Sequence, residues 1–344
     1  MLYIFIIFIL ISFIGINFQN IKGIDGDALS KERTTMINGI FVVIVLFSHF
    51  NSYATSDIAV DKIYYLFFKI GQLMVTPFLF YSGYGIYESI KNKKNYMDGF
   101  FKKRIVKLFV SVFLALVLYM ILNIVIGKSY DIKTILLSTI GFTSIGNSNW
   151  FIFATFCMYF SILISFKIFK KDNISALLSC LILSFCYMVL VMKFVGNAWW
   201  VNTILCFNAG MFFSYFKDTI LNFLKNKYHY ILSLILLIII FGLATINNHN
   251  YFTYEIISVA FILLIVILTL KIHIGNRVLF WFGKNTYNIY ILQRLSYTIY
   301  EYIGVKDYNV YIYFIVSVIT TFILTCLFDK ILKRVYKLLL NENK

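Results

Sequence analysis

The sequence predicts an all-α, polytopic transmembrane helix bundle of about eleven spans, and three observations carry that prediction. Hydrophobic residues make up 61% of the chain and charged residues 13%, whereas charged residues alone are about a quarter of a soluble domain. The apolar residues gather in stretches near the ~20 residues that a helix needs to cross the hydrocarbon layer. The basic residues collect between those stretches on alternate loops, as charges that orient helices do.

In order, the stretches are Met1 to Phe18, Met36 to Tyr53, Ile63 to Tyr87, Ile105 to Gly127, Trp150 to Phe166, Ile174 to Met192, Trp199 to Phe216, Tyr230 to Ile246, Phe252 to Leu270, Val278 to Tyr300 and Asn309 to Leu327. The first lacks the cationic start and small-residue cleavage site of a signal peptide, so it reads as an uncleaved helix. Short loops join the rest, with one proline in the chain and no Ser/Gly-rich linker, which leaves no room for a soluble domain. Cations crowd the loops starting at Ser89, Lys167, Lys217 and Lys271 and the tail from Asp329. The loops starting at Ala54, Lys128, Lys193, Asn247 and Glu301 are nearly neutral. This alternation places the C-terminus in the cytoplasm and, with eleven spans, the N-terminus outside. The loop Gln19 to Thr35 is nearly balanced, Lys22, Lys31 and Arg33 facing Asp25, Asp27 and Glu32.

The excess of 31 basic over 15 acidic residues flanks the spans and forms no aromatic-interleaved patch, so nucleic acid is not an expected partner. Cys157, Cys180, Cys186, Cys206 and Cys326 lie inside spans without metal-ligand spacing, and no metal is expected. No repeat, P-loop, dinucleotide fingerprint or zinc-protease motif occurs.

Four patterns remain as candidates for chemistry. His49 sits in the apolar run Ile37 to Phe50, whose other polar members are Asn38 and Ser48. An ionisable group at membrane depth is costly and usually faces a bundle interior or a wet cavity. Imidazole also titrates near neutrality and can take and return a proton, although a packing histidine bonded to a carbonyl fits the depth equally well. Asn38 shares its helical face, about 16 Å away along the axis. In the third span, Thr76-Pro77 through Ser82-Gly83-Tyr84-Gly85 combines a helix-kinking proline with glycines that admit a neighbouring helix or a slender ligand. The cations Lys91, Lys93, Lys94, Lys102, Lys103, Arg104 and Lys107 crowd one connection, which suits a phosphorylated ligand or the anionic head groups of membrane lipid. Finally, Asn147 to Phe151 and Gly283 to Tyr290 are aromatic, polar span ends, which interfacial anchoring also produces.

Lys31 to Ile40 running to His49, then Phe80 to Gly85, then Phe101 to Arg104, resemble in that order the integral-membrane acyltransferase family 3. The likeness continues through Trp150-Phe151, Trp199-Trp200, Gly210-Met211 and Gly283 to Leu292. It divides the chain into an N-terminal extra helix and loop, residues 1–30, and an acyltransferase transmembrane domain, residues 31–344. The resemblance implies transfer of an acetyl group from cytoplasmic acetyl-CoA to a hydroxyl of an extracytoplasmic or lipid-linked polysaccharide. His49 falls on the family's essential histidine, as general base or acyl carrier. Arg104 and Lys107 fall on its basic R-x-x-R element, with Lys102 and Lys103 beside them, and Arg33 would replace a cation absent at Asn38. The pantetheine arm would thread near Ser82 and Gly83, and Asn149, Trp150 and Glu255 would face the acceptor. Glu255 and Asp57 are the candidate carboxylates for His49, Glu88 lying too near the inner edge. A histidine frequent in the family is Gln293 here.

Two other classes share the composition. A lipid-linked glycan polymerase would carry a large, arginine-bearing outer loop, which this sequence lacks. A polysaccharide exporter or flippase would need a basic central cavity and no CoA. A succinyl donor shares every motif named.

Overall fold

Inside hydrocarbon every backbone N–H and C=O must bond within its own segment, so apolar stretches of this length fold as helices. The computed structural model describes residues 2–18, 24, 26–53, 71–170, 172–248 and 250–340. Among them seven helices are long and apolar enough to cross a membrane. They are α2 (Lys31–Phe50), α4 (Lys107–Val125, continuous with turns from Tyr96), α6 (Trp150–Ile168), α7 (Asn173–Phe194), α10 (Lys227–Ile246), α11 (Tyr251–Thr269) and α14 (Val310–Leu340). Shorter helices complete the series: α1 (Leu2–Phe13), α3 (Thr76–Asn92), α5 (Ile132–Ser138), α8 (Leu205–Tyr215), α9 (Lys217–Leu224), α12 (Arg277–Lys284) and α13 (Thr286–Tyr302). The chain is thus an all-α membrane bundle, as its composition predicts.

Four expected elements differ in detail. Met1 to Phe18 is helical only over Leu2–Phe13, after which Asn17 and Phe18 (β1) pair antiparallel with His273 and Ile272 (β2). Pro77 stands in the first turn of α3 and kinks nothing, because its missing N–H falls where a helix has no intrahelical acceptor anyway. The stretch Trp199 to Phe216 begins with a 3-10 turn, Ala198–Trp200, before α8. Val278 to Tyr300 breaks at Asn285 into α12 and α13, where the Asn285 amide donates to the Trp281 carbonyl (2.8 Å) and the Thr286 hydroxyl to that of Gly283 (2.9 Å). Of the span Ile63 to Tyr87, residues 63–70 lie outside the described residues.

Two glycine crossings set the core. At the α3–α8 crossing, Gly83 meets the Phe207 carbonyl and Gly210 meets the Phe80 carbonyl. At the α2–α12 crossing, Gly39 meets the Leu279 carbonyl and Gly283 meets the Thr35 carbonyl. A Cβ at any of the four would collide with backbone, so only glycine permits these approaches. α13 packs against α2, α4 and α14, and α1 lies along α2 and α12 through the ring pairs Phe5–Phe47 (5.5 Å) and Phe8–Phe282 (6.4 Å). By contrast α10 packs on α11 and leaves Ile231, Leu232, Ile235, Leu236, Ile238 and Ile239 exposed, as a lipid-facing helix must.

Candidate functional site

Long and short helices together enclose a cavity of about 960 Å³ among α2, α3, α4, α6, α12 and α13, reached also by Phe207 of α8 and Tyr336 of α14. One end is basic: Lys31, Lys93, Lys103, Arg104, Lys107, Lys217 and Lys284 line it against the carboxylates Asp27 and Glu88. Glu88 is already committed, 3.6 Å from Lys91, 3.7 Å from Lys217 and accepting from the Ser214 hydroxyl at 2.7 Å. With seven cations against two carboxylates, this end of the cavity keeps a net positive charge. Arg104 is held by its Nε donating to the Tyr96 hydroxyl (3.1 Å), and it sits in a π-helical turn, Phe101–Val106, that leads into α4. Such turns often mark functional positions. The long α14 outlasts its apolar stretch and brings Tyr336 beside Lys107, donating to the Lys107 carbonyl at 3.0 Å.

From Asn92 to Phe78 on α3, both of which line the wall, the cavity runs about 21 Å. Its deep end is aromatic, built by Phe78, Tyr81, Phe151, Tyr287 and Tyr290 with Asn38. Phe151 packs edge-on against Tyr290 (5.4 Å) and Phe78 against Phe151 (6.3 Å). The Asn38 side-chain oxygen and the Tyr287 hydroxyl are buried there without a partner. Unsatisfied polar groups lining a hollow are what a polar ligand would satisfy.

His49 stands just past this deep end. It is not itself a lining residue, and its ring lies 5.7 Å from that of Tyr290, which is. The far end of α2 is locked by the Tyr297 hydroxyl donating to the Leu46 carbonyl (3.0 Å) and by Phe50 packing on Tyr297 and Tyr313. Gln293 holds the imidazole: its Nε2 is 2.6 Å from His49 Nδ1 and donates to the Tyr290 carbonyl at 3.2 Å. Because that carbonyl accepts only, the nitrogen of the amide must face it, and the second amide hydrogen then points at Nδ1. Nδ1 is therefore the acceptor and Nε2 carries the ring hydrogen.

The sequence-derived residues separate clearly on this frame. Lys103, Arg104, Lys107 and Ser82 line the cavity. Lys102 is exposed and Arg33 is not on the wall. The α2 face that lines it is Lys31, Thr34, Thr35 and Asn38, so Lys31 holds the place expected of Arg33. Continuing the helical spacing from Asn38 back to Thr34 and Lys31 would have found it. Gly83 is filled by α8, and Gly85, with open space around it, lines the cavity in its stead. Asn149 and Trp150 are half-buried off the wall, where Phe151 takes the expected position. Glu255 neither lines the cavity nor pairs with His49. Both its oxygens accept from the Leu205 N–H (3.1 and 3.2 Å), capping the start of α8 where an orphan donor would otherwise be buried. Asp57 lies outside the described residues. Lys284, from the span end Gly283 to Tyr290, and Lys217, from the cationic loop that it opens, join the wall as well, a meeting that sequence could not show because their helices are distant along the chain.

The sequence model of the acyltransferase domain family, family 3, matches residues 36–330. The match takes in most of α2, all of α3 to α13 and the apolar length of α14, and leaves α1 outside. No curated protein and no solved structure matches the chain.

Proposed function

Since the chain belongs to acyltransferase family 3, we propose that it moves an acetyl group from acetyl-CoA, bound at the basic end, to a hydroxyl of an extracytoplasmic or lipid-linked polysaccharide arriving from the other side. One observation carries this reading: a single cavity joins a cation-lined mouth to an aromatic end whose Tyr290 touches His49. The basic mouth is the cytoplasmic end, in line with the loop charges.

The residues present fit such a donor. Lys103, Arg104, Lys107 and Lys31 would hold the nucleotide phosphates through charge-assisted hydrogen bonds. The wall past Ser82 and Gly85 would take the slender arm. Tyr290 and Phe151 would then set the thioester beside His49. His49 Nδ1 takes the proton of the acceptor hydroxyl once that hydroxyl displaces the Gln293 amide. The oxygen forms its bond to the acyl carbon, the carbon–sulfur bond breaks, and the imidazolium returns the proton to the leaving thiolate.

Radiolabelled acetyl-CoA supplied to the basic face of purified proteoliposomes, with surface glycan on the other, tests the reading. Label in glycan is expected, and His49→Ala is expected to abolish it while membrane insertion is unchanged. Glycan crossing without label would instead make the protein an exporter, and full transfer by the inserted His49→Ala variant would remove His49 from the chemistry.

A further inference from the structure

Arg294 lies on α13 one turn beyond Tyr290, on the same helical face as that last lining residue of the helix, and is itself off the cavity wall and partly exposed. His49, Tyr290 and Tyr119 lie within electrostatic reach of it. A guanidinium stays charged under any physiological condition, and an intramembrane charge is retained where it works on a substrate, an ion or a partner charge. Among the described residues Arg294 has no ion-pair partner, and its Nε is buried without an acceptor.

Among the described residues the surroundings supply no negative charge to meet it. Tyr119 donates its hydroxyl hydrogen to the Ile291 carbonyl (2.9 Å), and Tyr297 gives its own to Leu46. Both keep neutral oxygens there. His49 is engaged by Gln293 as an acceptor and brings no anion. Glu255 is spent on the Leu205 N–H, and Glu301 pairs with Lys306 at 2.8 Å. Arg294 therefore offers, among the described residues, a cationic group with an unpartnered buried Nε next to the proposed reaction centre.

We propose that Arg294 is the recognition site for a negatively charged group, carboxylate or phosphate, on a substrate that reacts at His49. The proposal rests on the acyltransferase reading for what occupies the site. The charge can come from two sources. A dicarboxylic acyl donor such as succinyl-CoA would bring a carboxylate on the transferred group, and an acidic glycan would bring a carboxylate or phosphate on the acceptor.

The test uses the full-length protein in proteoliposomes with acetyl-CoA or succinyl-CoA as donor. The acceptor is glycan from cells lacking the protein, either untreated or with its carboxyl groups amidated and its phosphates removed. Arg294→Gln is expected to lower kcat/KM about tenfold or more wherever the charged partner is present, mainly through KM, and by less than about threefold where it is absent. Arg294→Lys, which keeps charge without the planar fork, should recover part of the loss. A loss confined to succinyl-CoA assigns the site to the donor, and one that follows the untreated glycan assigns it to the acceptor. Should Arg294→Gln not fold, the wild-type protein is still expected to prefer the charged partner, with a preference that shrinks as salt rises. Equal loss of kcat in every combination overturns the proposal and makes Arg294 a stabiliser of the transition state, and so does no loss at all. A wild-type protein that transfers nothing from either donor overturns the acyltransferase reading first.

Discussion

Gln293 decides which nitrogen of His49 can accept a proton, and exchanging it is expected to move the ring hydrogen. In the wild-type protein both amide hydrogens are directed, to His49 Nδ1 at 2.6 Å and to the Tyr290 carbonyl at 3.2 Å. A net neutral hydrogen bond is worth about 1 kcal/mol, which at room temperature biases the two ring tautomers about fivefold towards hydrogen on Nε2. Gln293→Leu removes that bias, so the tautomer ratio should relax by about the same factor. Gln293→Glu reverses it, because a carboxylate accepts from Nδ1–H in a charge-assisted bond about twice as strong as a neutral one. Nitrogen-15 spectra of histidine-labelled protein in nanodiscs, assigned by comparison with His49→Ala, read the ring hydrogen directly. Transfer assays on the same samples should show kcat falling no more than about twofold in Gln293→Leu, as the fraction of rings with Nδ1 free drops from about five-sixths to about half, with little change in KM for the donor, since the amide touches the imidazole and not the basic mouth. Hydrogen on Nδ1 in the wild-type protein, or an unchanged spectrum in Gln293→Glu, would refute the reasoning.

Gly210→Leu drives a side chain into the Phe80 carbonyl and is expected to cost about 3 kcal/mol by forcing α3 and α8 apart, visible as a lowered unfolding temperature in detergent. Arg104→Ala should raise KM for acetyl-CoA about tenfold with kcat retained, whereas Lys102→Ala, at an exposed position off the cavity wall, should leave both within about twofold. Hydroxyl and then backbone hydrogen bonds, from Thr134 to Asp131 and from Ser175 to Asp172, hold these exposed carboxyls below the usual range. Their folded pKa values are depressed, so the stabilisation is present above the ordinary carboxylate pKa of about 3.9 and is lost as pH falls through the folded values. Hydrogen-exchange protection factors at the first turns of α5 and α7, which are corrected for the intrinsic pH dependence of exchange, should therefore fall below about pH 4 and stay constant between about pH 5 and 8.

Much of the bundle was legible in the chain because its signals are local. Apolar length alone locates α6, α7, α10 and α11 to within a few residues, since backbone self-satisfaction in hydrocarbon leaves helix as the outcome. Ser30, Asp131, Asp172 and Asn250 cap their helices from the adjoining position, again a local event. Where polar and small residues interrupt an apolar stretch the reading failed, and it failed for one reason. The break at Asn285 is stable because Gly283 lets α12 dock on α2, and the late start of α8 is stable because Glu255, from a helix fifty residues later, takes the Leu205 N–H.

The same division runs through the candidate site. Composition and residue order were enough for a membrane acyltransferase with an embedded histidine and a basic R-x-x-K element, because each of these is written in contiguous residues. Which cations share one cavity, which glycine faces that cavity and which a helix, and which nitrogen of His49 meets Gln293 depend on side chains far apart in the sequence. Lys31, Arg104, Lys217 and Lys284 meet only after four helical segments have packed, and Gln293 reaches His49 across 244 positions of sequence. Helical periodicity gives a residue's direction about its own axis, and contact between helices depends on where those axes cross, which here is settled by four glycines meeting four carbonyls.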